Sequence, residues 1–149
     1  MTSLPPSVQR SFRLARRTAD ELDAAAEATG ESRNALADRL LAEALRLERH
    51  PLIRFRTGAA GRREPQLVGT RLLVRDVMAT VRAHGDELGP TGDALASTAE
   101  YLSLPLRSVA AALAYYADYR DEIDADAAWA DAGARDERAR WERQQAALG

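Results

Sequence analysis

The chain has 149 residues, enough for one ordinary domain or two small ones. Charged residues make up 30% and aromatic residues only 5%, so any core must be built mainly from alanine, leucine and valine. The absence of cysteine excludes disulfides and thiolate metal sites and is typical of a reducing cytoplasm. No run approaches the roughly 18 apolar residues of a membrane span, and the start lacks the pattern of a signal peptide. We therefore expect a cytoplasmic protein with no membrane partner.

The net charge of −2 is unevenly distributed along the chain. Residues 1–63 hold 12 arginines against 8 acidic residues, whereas residues 64–149 hold 9 arginines against 15 acidic residues. A basic front favours a nucleic-acid partner, and an acidic back favours a different partner. A chance distribution of surface charge is the alternative interpretation.

Residues 8–14 predict a short strand, because apolar and polar side chains alternate along them. The even-numbered positions, which we call the apolar parity, include Val8, Phe12 and Leu14. The odd-numbered positions, which we call the polar parity, include Gln9, Ser11 and Arg13. A lone strand has no pairing partner in a unit of about 40 residues, and units of that size rarely stand alone. We therefore predict a homodimer in which two such strands pair antiparallel. Its polar parity would face outward on a ribbon narrow enough for a DNA major groove.

Two helices are predicted after this strand. Thr18 and Glu21 have the spacing of a capping box, so the first helix should begin just after Thr18 and end at Gly30. Ser32 should cap the second helix, which His50 and Pro51 stop. The apolar face of the second helix comprises Leu36, Leu40, Leu41, Ala44 and Leu47.

These elements resemble the ribbon-helix-helix (Arc/MetJ/CopG-like) family of DNA-binding domains. The motifs that carry the resemblance are Gln9–Leu14, Thr18–Asp23 and Ala28–Leu36; Arg10, on the apolar parity, departs from the pattern. The resemblance implies base contacts by Gln9, Ser11 and Arg13, and a phosphate clamp by Ser32, Arg33 and Asn34. Free amides and the helix dipole at a helix start favour an anion independently of the resemblance. Arg16 and Arg17 are further candidates for phosphate contact.

The pattern changes after Pro51 and predicts a second domain over residues 50–125 with short strands and three helices. Strands are expected near residues 52–56, 65–68 and 70–74, and helices over 76–84, 94–102 and after Ser103. Gly85 should end the first of these helices, and Ser103 should cap the last one, with Pro105 in its first turn. The inward face predicted for the last helix comprises Leu106, Val109, Ala110, Leu113, Tyr116 and Ala117.

This region resembles the small helix-turn-helix domain of VapB-type antitoxins, the domain-of-unknown-function family four-three-three. The motifs are His50–Ile53, Val68–Val74, Glu100–Leu104, Ala111–Tyr116 and Glu122–Asp124. The resemblance implies an antitoxin partnered with a PIN-like ribonuclease toxin. Its recognition helix offers Arg107 and Ser108 followed by an almost wholly apolar run, so packing or dimerisation is favoured over base reading.

Residues 126–149 are predicted to form a helical partner-binding tail, which Gly133 divides. Beyond Gly133 the apolar stripe is too thin to hold the helix on a core, so the segment could fold on a partner. By the VapB-type resemblance, the toxin surface would contact Trp129, Arg138, Arg140 and Trp141. A terminal helix that folds back on the middle domain is the alternative.

The sequence predicts neither catalysis nor a metal or cofactor. His50 and His84 are the two histidines of the chain, and both precede helix stops, so they are interpreted as helix C-caps. The overall prediction is a mainly α (α+β) protein: a ribbon-helix-helix domain over residues 7–49, the helix-turn-helix domain and the tail. The predicted function is a DNA-binding antitoxin and autorepressor. A transcription regulator without a toxin and a pure dimerisation adaptor remain alternatives, and the sequence leaves open whether dimers pair into tetramers.

Overall fold

The computed structural model describes residues 7–89 and 93–148, and these residues are mainly helical with one small antiparallel sheet. This confirms the predicted mainly α (α+β) class. The chain divides into two compact units, Met1–Leu45 and Arg46–Gly149, which we call the amino-terminal unit and the carboxy-terminal unit. None of the described helices is both long enough and apolar enough to cross a membrane.

The amino-terminal unit contains α1 and most of α2, and the carboxy-terminal unit contains the remaining elements. The helices are α1 (Arg16–Thr29), α2 (Arg33–Arg49), α3 (Val74–Leu88), α4 (Ala94–Tyr101), α5 (Leu106–Asp118) and α6 (Arg120–Leu148). The strands are β1 (Ile53–Thr57) and β2 (Arg63–Leu67), joined through a short 3-10 turn at Ala59–Gly61.

The strand predicted over residues 8–14 does not form in the single chain. Residues 7–15 adopt neither helix nor strand, and every one of them is exposed. A β-strand needs a neighbouring backbone to take its hydrogen bonds, and the described part of this unit contains only helices besides this segment.

The first helix begins earlier than the sequence predicts. Ala15 occupies the N-cap position of α1 without a side-chain hydrogen bond, and the amide of Ala19 donates to its carbonyl at 3.0 Å. The predicted capping box is therefore wrong: Thr18 lies inside the first turn, and Glu21 pairs with Arg17 at 2.9 Å instead.

The turn between the two helices follows the prediction. Gly30 has a positive φ of 73° and donates its amide to the Ala26 carbonyl, which closes α1. Ser32 Oγ accepts a hydrogen bond from the Ala35 amide at 3.2 Å, as expected of an N-cap. The second helix ends at Arg49, directly before His50.

The carboxy-terminal unit starts with the hairpin β1–β2, in which Ile53 lies opposite Leu67 and Arg56 opposite Glu64. The strand predicted over residues 70–74 is replaced by a turn and a single bridge between Gln66 and Leu73. A positive φ of 77° at Gly69 reverses the chain here. The hydroxyl of Thr70 then fixes the turn, because it donates to the Leu67 carbonyl and accepts from the Leu72 amide.

The next helix passes through the glycine that was expected to end it. Gly85 lies within α3, and a Cβ at this position would be 3.9 Å from the Cβ of Ala94, in ordinary contact. The helix ends instead at Gly89, which has a positive φ of 68°. His84 is therefore not a C-cap; its Nδ1 lies 3.0 Å from the hydroxyl of the buried Thr98.

The start and the buried face of α5 also differ from the prediction. Ser103 has a positive φ of 52° and does not cap the helix, whose N-cap position is taken by Pro105. The fully buried residues of α5 are Val109, Ala112 and Tyr115. Leu113 and Tyr116 are partly buried, whereas Leu106, Ala110 and Ala117 of the predicted face are exposed. When a helix is apolar on nearly all sides, its sequence does not indicate which side is buried. In α5 the buried side is centred between Val109 and Tyr115.

The core of the carboxy-terminal unit is formed by apolar side chains from the hairpin and from α3 to α6. It comprises Ile53, Leu67, Val74, Val77, Met78, Ala99, Val109, Ala112, Tyr115 and Ile123. The expected division of the tail at Gly133 is absent, since α6 runs unbroken from Arg120 to Leu148. Within α6 only Ile123 is buried, so its first turns dock on this core and its second half does not.

Candidate nucleic-acid and partner interfaces

The candidate base-contacting residues lie together on the segment before α1. Gln9, Ser11 and Arg13 are all exposed. The apolar residues that alternate with them are equally uncovered, with Phe12 73% exposed. The single chain therefore presents both parities of the segment to solvent.

The candidate phosphate contacts on α1 carry partly compensated charges. Arg17 Nε lies 2.9 Å from Glu21 Oε1, and Arg16 Nε lies 3.9 Å from Asp20 Oδ2. All four side chains are largely exposed, so these pairs contribute little to stability, about 0.3–0.5 kcal/mol each. They would not prevent either arginine from turning to a phosphate.

The start of α2 gathers the other phosphate candidates. Ser32 uses its hydroxyl oxygen to cap the helix, and Asn34 is exposed. Arg33 Nε lies 2.8 Å from Asp23 Oδ1, which joins the start of α2 to α1. An anion at this helix start would therefore compete with Asp23 for the Arg33 guanidinium.

The amino-terminal unit buries very little apolar surface. Among its described residues only Ala26 and Leu36 are fully buried. The large apolar side chains that stay exposed in this unit are Val8, Phe12, Leu14, Leu40, Leu41 and Leu45. Much of the predicted leucine face of α2 is thus uncovered, which a stable isolated unit of this size would not tolerate well.

The candidate toxin-binding residues fall into two groups. Trp129 is 40% exposed, and its ring lies under the Arg62 guanidinium, whose centre is 4.7 Å from the ring centroid. Arg62 also forms an ion pair with Asp126. Trp129 is therefore already engaged within its own unit.

The remaining three residues lie on the second half of α6, which packs on nothing in the described chain. Trp141 is 59% exposed, and Arg138 and Arg140 are exposed and form no ion pair with any described residue. Of the four candidates, these three form the surface that is free for a partner.

Three arginine clamps, which the sequence reasoning missed, hold the first half of α6. Arg46 contacts Glu122 and lies over the Tyr119 ring at 4.2 Å; Arg82 contacts Asp124 and lies over the Tyr116 ring at 5.0 Å. Arg62, with Asp126 and Trp129, makes the third. The sequence signal for two of the clamps is the spacing of Glu122 and Asp126, which are four residues apart and therefore lie on one face of α6.

Two of the clamp arginines, Arg46 and Arg82, have raised pKa values, as expected of structural ion pairs. Hydrogen bonding to Glu122 raises the pKa of Arg46, and hydrogen bonding to the Tyr116 hydroxyl raises the pKa of Arg82. Burial raises the pKa of Tyr115, whose hydroxyl accepts from Arg46 Nη1 at 3.2 Å. The arginines thus remain charged and the tyrosine neutral at physiological pH.

The two histidines serve packing contacts. His50 Nε2 lies 2.9 Å from Asp118 Oδ2, and its ring meets the Tyr115 ring edge-on at 5.1 Å. Its amide donates to the Arg46 carbonyl, so the predicted C-cap position of His50 is correct. Within residues 7–89 and 93–148, no group of three His, Cys, Asp or Glu side chains could hold a metal ion.

Comparison of the chain with protein-family models, curated proteins and solved structures finds no match.

Proposed function

We propose that the protein is a homodimeric DNA-binding antitoxin and transcriptional autorepressor of a type II toxin–antitoxin system, acting in the cytoplasm. Its amino-terminal unit would bind the operator, and its second half of α6 would neutralise a PIN-like ribonuclease toxin. The observation that carries the proposal is the exposed, alternating segment at residues 7–15, placed directly before a helix pair that lacks a core of its own.

Dimerisation would cover the exposed apolar side chains of the amino-terminal unit. Pairing two copies of residues 8–14 antiparallel satisfies their backbone groups and turns Val8, Phe12 and Leu14 towards the helices. Leu41 and Leu45, one helical turn apart on α2, are among the exposed residues that such a partner could bury.

Base recognition in the dimer would fall to the opposite parity. Arg13 is the residue most suited to it, since a guanidinium can donate two hydrogen bonds to guanine, worth about 1–3 kcal/mol of discrimination. Arg16, Arg17 and the start of α2, with Ser32, Arg33 and Asn34, would contact phosphates and fix the register.

The test of DNA recognition is a gel-shift titration on the DNA upstream of the protein's own reading frame. Arg13→Ala should reduce the preference for this DNA over random duplex by roughly 5- to 150-fold. Arg10→Ala is the matched control, because it removes the same charge from the same segment but from the apolar parity. Equal preference in wild type and Arg13→Ala would refute the assignment.

Toxin binding is assigned to the exposed half of α6. A truncation after Ala125 would also remove Asp126 and Trp129, which are docked on Arg62, so loss of binding would be ambiguous. The sharper variant replaces Arg138, Arg140 and Trp141 by alanine, since these side chains lie on the half of α6 that packs on no other described element. It should abolish co-purification with a co-expressed toxin from the neighbouring reading frame while leaving the helical circular dichroism unchanged.

A freestanding transcription regulator without a toxin is the second candidate. The observation in its favour is that the first half of α6, including Trp129, is already docked on its own unit. Under this function the triple alanine variant would repress as well as wild type, and no neighbouring protein would co-purify with either.

A further inference from the structure

The hairpin region of the carboxy-terminal unit has a charge opposite to that of the rest of the unit. Residues 51–75 contain six arginines and one acidic residue, Glu64, whereas residues 76–149 contain seven arginines and 14 acidic residues. The positive charge is therefore concentrated on β1, β2 and the turns that flank them.

The strand register places part of this charge on one face of the hairpin. Arg54 lies opposite Gln66 and Arg56 opposite Glu64, and side chains that are opposite each other in an antiparallel pair share a face. Arg75, in the first turn of α3, also contacts the Glu64 carboxylate, with its Nη1 2.9 Å from Glu64 Oε1.

Buried polar residues hold these arginines in position. Glu64 is 2% exposed and Gln66 is 3% exposed. Arg56 Nη2 lies 2.8 Å from Glu64 Oε2, and Arg54 Nε donates to Gln66 Oε1 at 2.9 Å. Anchoring of this kind lowers the conformational entropy that a guanidinium loses when it binds a ligand.

The internal partners do not neutralise the surface. Arg56 and Arg75 both contact the carboxylate of Glu64, and Arg75 also lies 3.7 Å from Asp76 Oδ1. Arg54 has only a neutral amide as its partner. Arg71, exposed in the turn after β2, forms no ion pair with any described residue. The side chain of Arg56 remains 45% exposed despite its ion pair.

We propose that the arginines of the hairpin, Arg54 and Arg56 on one face of β1 together with the exposed Arg71 in the turn after β2, bind the phosphate backbone of double-stranded nucleic acid without reading its sequence. The planar guanidinium fork matches phosphate oxygens, and backbone contacts need only charge and donors. The surface lies on the carboxy-terminal unit and does not depend on recognition by Arg13. It supplies the contact that the apolar helix α5 is poorly equipped to make.

The chemistry of the hairpin disfavours an acidic protein as the partner. Protein interfaces have an apolar or aromatic centre, and Val68 is the one large apolar side chain exposed among residues 51–75, all of which are described. A phosphate backbone requires no such centre.

The test measures the salt dependence of binding to a random-sequence duplex, using the full-length protein. The Arg54→Gln/Arg71→Gln double variant should reduce the log–log salt slope by roughly 1.8, or about 0.9 for each phosphate that is no longer neutralised, between about 50 and 200 mM salt. The Arg107→Gln/Arg135→Gln double variant removes the same charge from exposed positions of the same unit and should leave the slope unchanged.

A single Arg71→Glu variant guards against a folding defect, because the exposed Arg71 side chain forms no ion pair with any described residue. It should weaken duplex binding by several-fold with an unchanged thermal midpoint. The inference is overturned if the hairpin and control variants have equal slopes, or if the unaltered chain does not bind random duplex. Tighter binding to poly-glutamate than to duplex would indicate an acidic protein partner and would also overturn it. Loss of operator preference in Arg13→Ala would not bear against phosphate binding by the hairpin arginines, because Arg13 lies on the other unit.

Discussion

Arg46 and Glu122 join the last turn of α2 to α6 by two hydrogen bonds, from Nη1 at 2.6 Å and from Nη2 at 2.8 Å. The same guanidinium reaches the Tyr115 hydroxyl and lies over the Tyr119 ring. Because α6 buries only Ile123, this clamp and its two counterparts at Arg62 and Arg82 contribute much of the attachment of the helix.

Removing the charge of Glu122 should loosen that attachment. Glu122→Gln leaves the Arg46 guanidinium with the tyrosine contacts but without its carboxylate. Since Glu122 is itself 59% exposed, solvent screening limits the expected cost to about 1 kcal/mol. Urea unfolding followed by tryptophan fluorescence measures it. Glu137→Gln, on the exposed half of α6, is the control and should change the free energy of unfolding by less than about 0.5 kcal/mol.

Tyr115 should make the protein sensitive to alkali. Burial raises its pKa above the ordinary value of 10.0, so the unfolded chain loses this proton at a lower pH than the folded chain. The stability contributed by the protonated phenol is complete below about pH 10 and is lost as the pH rises through the folded-state pKa. Tyr115→Phe should therefore lose less stability than wild type between about pH 9 and 11. Urea midpoints at the two pH values test this, and parallel losses would contradict it.

Gly58 and Gly133 should respond to alanine with opposite signs. A Cβ at residue 58 would overlap the carboxylate of Glu64, which Arg56 and Arg75 hold in place. Gly58→Ala should therefore destabilise the hairpin by about 1–3 kcal/mol. Gly133 lies in α6 with nothing within 4 Å of such a Cβ, and its replacement should stabilise by about 0.5–1 kcal/mol. Thermal midpoints of both variants decide the matter; two changes of the same sign would refute the assignment.

Leu41 provides a test of the proposed dimer that does not rely on unfolding. Its side chain is 52% exposed in the single chain, so Leu41→Asp should cost the isolated fold little. In a dimer that covers α2, the carboxylate would be desolvated, and association should weaken by at least 10-fold. Sedimentation equilibrium at micromolar concentration measures this. Leu148→Asp, at another exposed leucine, should leave the association unchanged.

The parts of the fold that follow from local chemistry could be predicted from the sequence. The positive φ at Gly30, the cap at Ser32 and the end of α2 before His50 each depend on a few neighbouring residues. The helix start predicted at Thr18 and the helix end predicted at Gly85 were wrong. At Thr18 an ion pair between Arg17 and Glu21 lies across the expected boundary. Gly85 lies inside α3, and the positive φ that ends this helix is at Gly89 instead.

The candidate sites divide in the same way. The parity of residues 8–14 is a property of the sequence, so Gln9, Ser11 and Arg13 could be selected as one set from alternation alone. The role of Trp129 could not, because it depends on Arg62, which is far away in the chain and reaches the ring only in the folded unit.

The helical content, the turn at Gly30 and the concentration of positive charge in residues 51–75 follow from the amino-acid sequence alone, because these depend on residue type and short-range spacing. The pairing of the α6 acids with Arg46, Arg62 and Arg82, and the burial of Glu64 between two arginines, depend on the folded chain. A long charged side chain can reach many partners, and its partner is fixed only when packing brings two distant segments within a few ångströms of each other.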